Sequence, residues 1–173
     1  MSGRTKLKVI RFFAYALELL VLFVLQETPG LIPSVQSVRP LLVLPAALTI
    51  ALFEGETAAM AFGLAGGLLI DFGFGTVLGF HALFLAVGCY FISLVAANLF
   101  QTNFFSALLL TAVAAAGIFL LQWLFFFVLR GYAHSGYALL FHYLPFFCYT
   151  TVMMPLIYYF NRALALQIRS KEE

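Results

Sequence analysis

Apolar residues in this chain come in long runs, and the polar residues between them are few and clustered. A membrane-spanning helix needs about 20 mostly apolar residues. Four runs meet that length and two are shorter, which predicts helices over about 8–26, 40–53, 57–71, 77–100, 104–129 and 137–160. A turn-rich stretch with Pro29, Gly30 and Pro33 follows the first run. The second and third runs are parted only by Glu54-Gly55-Glu56, a tight turn whose two carboxylates are expensive in lipid. That turn is expected at a membrane interface, with two short spans preferred over one re-entrant hairpin, since irregular backbone at depth has to be buried in protein. Pro145 and Pro155 each remove a backbone donor from the last run and are expected to kink it. The pattern predicts an all-α, polytopic membrane protein. Its architecture is a six-transmembrane-helix bundle with short second and third helices, forming a single domain over 1–173.

Composition sharpens this. Hydrophobic residues make up 64% of the chain and charged residues 9%, against about 25% charged in a soluble domain. So little charge cannot cover a water-facing surface. The net charge of +2 says little, and no basic stripe interleaved with aromatics points to nucleic acid. The placement of the basic residues says more. With six spans, Arg4, Lys6, Lys8, Arg11, Arg162, Arg169 and Lys171 fall on one side, and only Arg39 and Arg130 on the other. Positive charge favours the cytoplasmic side, so both termini are expected there. Tyr15, Tyr132, Tyr137, Tyr158 and Tyr159 fall near the expected interfaces. The N-terminal run contains Glu18 and ends in Gln26-Glu27-Thr28-Pro29 without a small-residue cleavage site, so an uncleaved first helix is expected. Cys89 and Cys148 lie in apolar runs with no paired-cysteine motif and read as small buried hydrophobes.

Few residues offer chemistry. Glu18 lies midway along the first helix, where an ionised carboxylate is costly. It is either an ion or proton site, a contact to a partner's polar group, or a carboxylate hydrogen-bonded to a neighbouring helix. Ala59, Gly63 and Gly67 recur every four residues and put a small-residue stripe on one face of the third helix, a surface for close backbone approach. Whether that surface meets another helix of this chain, a second protein or a second copy is left open. Asp71 continues the row, Gly73 and Gly75 break the helix, Gly79 reopens a close-approach surface, and His81 follows. Asp71 and His81 either face a cavity or partner, or Asp71 caps the fourth helix, whose N-terminus favours a carboxylate. Ala107, Thr111 and Ala115 form a second small-residue row on the fifth helix. His134 and His142, eight apart with no third ligand, make a poor metal site. There is no metalloprotease, phosphate-loop or nucleophile-elbow motif, and no enzyme or cofactor is expected.

The order of these features resembles a family. A basic N-terminus and one helix are followed by a loop ending in Arg39-Pro40, a short apolar run and the Glu54-Gly55-Glu56 turn. The glycine-striped helix then closes in Leu68-Leu69-Ile70-Asp71, followed by Gly75 and Leu78-Gly79-Phe80-His81-Ala82-Leu83. This looks like MreD, the rod-shape-determining membrane protein of bacterial cell elongation, most closely from about Arg39 to Leu83. One departure is Leu41, where the family often has an acidic residue. The resemblance implies a non-enzymatic scaffold component of the peptidoglycan-synthesising elongation machinery in the bacterial cytoplasmic membrane. Its implied partner is MreC, a single-span protein, with MreB, RodA and a transpeptidase as further members. The family is also similar in fold to the substrate-binding S components of energy-coupling-factor transporters, which gives the rival reading. That reading calls for a polar pocket near the outer face, to which Gln26, Arg39, Gln122 and Trp123 are candidates. Against it, the Ala-x-x-x-Ala docking surface of S components is absent, since Ala14 is followed by Glu18 and Ala16 by Leu20. A third reading, an enzyme acting on a lipid, has only Glu54, Glu56, Asp71 and the histidines to work with.

Overall fold

The computed structural model describes residues 3–31, 39–75, 77–98, 104–129 and 135–169. They form six helical rods. α1 is Gly3–Glu27, α2 Val43–Phe53, α3 Glu56–Phe74 and α4 Phe80–Asn98. α5 runs over Phe104–Trp123 and ends in a π-helical turn, Leu124–Val128. α6 opens with Ser135–Ala138, widens into a π-helical turn over Leu139–Tyr143 and continues as Leu144–Arg169. That second π turn sits immediately before Pro145, whose missing N–H interrupts the regular ladder, and such interruptions are where π turns occur. Pro155 lies inside the helix that follows. Much of the Glu27–Arg39 loop, together with Arg130, Tyr132, His134 and Lys171, lies outside the described residues.

Five helices are long and apolar enough to cross a membrane; α2 is not. α3 reaches Phe74, three residues past its expected end, and at 19 residues is a full-length span rather than a short one. α2 keeps only 11 residues, and from Val43 to Ala51 every one is buried. A helix that is apolar all round belongs in a core, and α2 touches all five other helices. Because the start of α2 is buried, its open backbone groups need protein partners. Gln26 Oε1 on α1 accepts the N–H groups of Leu42 (3.0 Å) and Val43 (3.4 Å), and Leu41 donates to Thr150 Oγ1 on α6 at 3.2 Å. Leu41 is buried and its side chain is apolar, so only its backbone takes part.

The outer surface is inverted relative to a soluble protein. Only 28–39% of the most apolar window of each span is buried, and large side chains such as Phe13, Phe105, Val113 and Leu156 face outward. Lipid makes outward apolar groups free of cost, so close packing and hydrogen bonds are what bind the helices together. Cys148 belongs to this outer surface, contrary to the expectation that both cysteines are buried; Cys89 is buried and reaches Ala47 O at 3.4 Å. Tyr15 and Tyr158 also face inward, Tyr15 packing edge-on against Phe62, while Tyr137 and Tyr159 face outward.

Hydrogen bonds give the relative directions of α1, α2 and α6. Arg11 on α1 pairs with Glu54 at the close of α2, whereas Gln26 at the other end of α1 caps the start of α2. Thr150 and Asn161 of α6 bond Leu41 and Thr49, so α6 runs parallel to α2. The start of α1 and the finish of α6 therefore lie at the same end of the bundle, called here the basic end.

Candidate functional site

The buried polar groups fall into three layers. At the basic end, Arg11 and Glu54 form a two-pronged ion pair, Nε to Oε1 at 2.7 Å and Nη2 to Oε2 at 3.2 Å. Both are buried, and Ser93 Oγ donates to Glu54 O at 2.7 Å. The turn joining α2 and α3 is thus held by α1 and α4. Its two carboxylates part ways, Glu56 being exposed and Glu54 satisfied inside the protein. An expectation that both simply seek an interface misses this pair, because Arg11 is 43 residues away.

In the middle layer, Glu18 is only 8% exposed and accepts a side-chain hydrogen bond from Asn161. Asn161 Nδ2 also donates to Thr49 Oγ1 at 2.8 Å, and the threonine hydroxyl donates back to Pro45 O at 2.7 Å. A short polar chain thereby links α1, α6 and α2. Asn161 and Thr49 had drawn no attention in the sequence. A buried asparagine late in the last helix is the signal that was available, since an amide at that depth needs partners.

At the far end, Asp71 closes the break between α3 and α4. Its carboxylate accepts from the N–H groups of Gly79 (2.8 Å), His81 (3.0 Å) and Ala82 (3.3 Å) and meets His81 Nδ1 at 2.8 Å. It therefore occupies the capping position of α4, where open N–H groups and the helix dipole favour an anion. With Asp71 present as acceptor, Nδ1 carries the imidazole proton. Asp71 and His81 are each 1% exposed, so both face protein. Phe74 stacks on the His81 ring.

The glycines do two different jobs. Gly63 and Gly67 permit contact between α3 and α4. A Cβ on Gly63 would come within 2.7 Å of Leu85 O, and one on Gly67 would meet the backbone of Ala82 and His81 O. Ala59, Gly63, Gly67 and Asp71 are all buried in this way, so the close approach takes place within the chain. Gly66, one residue off the row, faces Ala47 of α2. A Cβ on Gly75 or Gly79 would meet nothing within 4 Å, but their φ values of +59° and +97° are the left-handed backbone that ends α3 and leads into α4. On α5, Ala107, Thr111 and Ala115 are buried, and Thr111 reaches Met154 Sδ at 3.6 Å.

Near Asp71, a cavity of about 430 Å³ opens at the far end, lined by Gln26, Glu27, Arg39, Tyr143 and Gln122 among others. Gln122 Oε1 has no partner among the described residues. Three of the four residues expected to share a pocket do so; Trp123 is half-buried and not part of the lining.

A family model described as "rod shape-determining protein MreD" matches residues 6–164. No curated protein matches the chain. No solved structure matches it either.

Proposed function

The chain belongs to the MreD family of rod shape-determining proteins, and from that premise we propose that it is a non-enzymatic membrane scaffold that binds an MreC-like single-span protein within the bilayer. The observation that carries this is the family match, which reaches into all six helices. The polar layers agree with it: Arg11, Glu54 and Asp71 are engaged in holding helices to one another, as a rigid docking body requires. MreB, RodA and a transpeptidase would be further members of the assembly. The basic end faces the cytoplasm in this reading, with both termini, because the described basic residues Arg4, Lys6, Lys8, Arg11, Arg162 and Arg169 lie towards that end of α1 and α6. In this reading 1–173 is a single domain, a six-helix bundle with the short α2 at its centre.

The test is co-purification of the tagged chain, in mild detergent, with its MreC-like neighbour, followed by mass spectrometry of everything retained. A stoichiometric complex is expected. One observation favours a second reading, a transporter S component: the far-end cavity has the polar lining that a small ligand needs. A lone protein carrying a tightly held small molecule would establish that reading and overturn the first.

A further inference from the structure

α1 and α6 diverge on the outer surface and leave a groove of about 750 Å³ between them. Ala14, Leu17 and Val21 form one wall, Leu156 and Phe160 the other, and Glu18 lies at the floor. From Ala14 to Val21 the wall spans roughly 10 Å at 1.5 Å per residue, about two helical turns. The walls are apolar and outward-facing: Leu17, Val21, Leu156 and Phe160 are each about half exposed or more.

The floor is where this groove differs from an ordinary lipid-facing furrow. Glu18 is more than nine-tenths buried, and its Oε2 has no hydrogen-bond partner among the described residues. Asn161 Oδ1, beside it, has none either. A buried polar oxygen without a partner is costly in a medium without water. Glu18 also sits near the midpoint of the span Lys6–Glu27, at the depth where a lipid offers only hydrocarbon. A lipid chain can fill the groove but cannot supply a donor there.

We propose that the α1–α6 groove is the docking site for a single transmembrane helix of a partner protein, which carries a hydrogen-bond donor at mid-membrane depth and presents it to Glu18. The donor is a hydroxyl, an amide or a basic side chain on an otherwise apolar face. This rests on the scaffold reading above and names the surface that serves it.

The experiment uses the full chain co-expressed with the MreC-like protein, with a photo-crosslinking residue at position 21, at position 160 or, as control, at position 113 on the outward face of α5. Crosslinks to the single-span protein are expected from 21 and 160 and not from 113. Val21→Trp fills the groove from an already exposed position and should abolish recovery of the partner, while Val113→Trp should not. Glu18→Gln keeps the shape and the Asn161 contact but loses the second acceptor oxygen, and should lower partner recovery roughly three- to fifteenfold, the range for one interhelical hydrogen bond in a membrane. Recovery of the partner with crosslinks only from position 113 would overturn the groove and leave the scaffold reading standing. Crosslinks from 21 and 160 to lipid alone or to a second copy, or unchanged recovery in both Val21→Trp and Glu18→Gln, would likewise overturn it. Absence of any complex would overturn both.

Discussion

Replacing Gly67 by alanine tests the α3–α4 contact most directly. The new Cβ would stand 2.5 Å from Ala82 N and from His81 O, where ordinary contact begins at 3.4 Å. The obstructing atoms are backbone, so no side chain can swing aside, and the two helices have to separate by about 1 Å. Asp71 is one turn further along α3 and holds the start of α4 through bonds of 2.8–3.3 Å. The same separation therefore stretches the cap. Overpacking of this kind costs about 1–3 kcal/mol, and the backbone obstruction puts Gly67→Ala at the upper end, about 3 kcal/mol. Gly117→Ala is the matched control: it lies within α5 with nothing within 4 Å of its Cβ position. Both changes gain the same helix propensity, about 1 kcal/mol, so their difference isolates the clash. Trp123 is the chain's one tryptophan and reports unfolding as detergent-solubilised protein is titrated with a denaturing detergent. Gly67→Ala should unfold well before Gly117→Ala. Coincident transitions would refute the reasoning, because they would mean that α3 and α4 do not approach as closely as described.

Three further outcomes can be checked with the same titration or with simple labelling. Asp71→Ala should destabilise by about 1–3 kcal/mol, since it leaves buried N–H groups without an acceptor, and Asp71→Asn should fall between it and the parent because its amide N–H₂ would face backbone donors. Arg11→Leu should cost up to about 3–5 kcal/mol by taking the two-pronged cation away from buried Glu54, while Arg11→Leu combined with Glu54→Leu should recover much of that loss; equal losses in the single and double variants would contradict the ion pair. In detergent, an apolar maleimide should label Cys148 and spare Cys89 until the protein unfolds, read as one against two adducts by intact-mass spectrometry.

What was legible in the sequence was local. Hydropathy runs give helices, and a four-residue spacing of Ala59, Gly63 and Gly67 gives a packing face, because both depend on neighbours along one helix. Asp71 was legible as a capping candidate because Gly75 and Gly79 mark the break it closes. The Arg11–Glu54 pair and the Glu18–Asn161–Thr49 chain were not, since their members are brought together only by tertiary packing across as many as 112 residues in the case of Thr49 and Asn161. α2 fell between the two. Its shortness was legible, but the length argument drew attention to whether it spans the membrane rather than to what surrounds it. The stripe's direction was also beyond the sequence: a small-residue face looks the same whether it meets α4 or a second protein.

The central placement of α2 bears on how the protein comes to exist in the membrane. Eleven residues are too few to enter a bilayer unaided, so α2 has to be carried in as the leading arm of a hairpin whose other arm, α3, is long enough to insert. Once inside, its first N–H groups are met by Gln26 of α1, but the Leu41 N–H waits for Thr150, which belongs to the last helix made. Insertion from the N-terminus thus yields a ring of helices around an unfinished centre, and only the arrival of α6 closes it. A chain halted by a stop codon between α5 and Thr150 would keep the Gln26 cap but leave the Leu41 N–H and one side of α2 without the last helix.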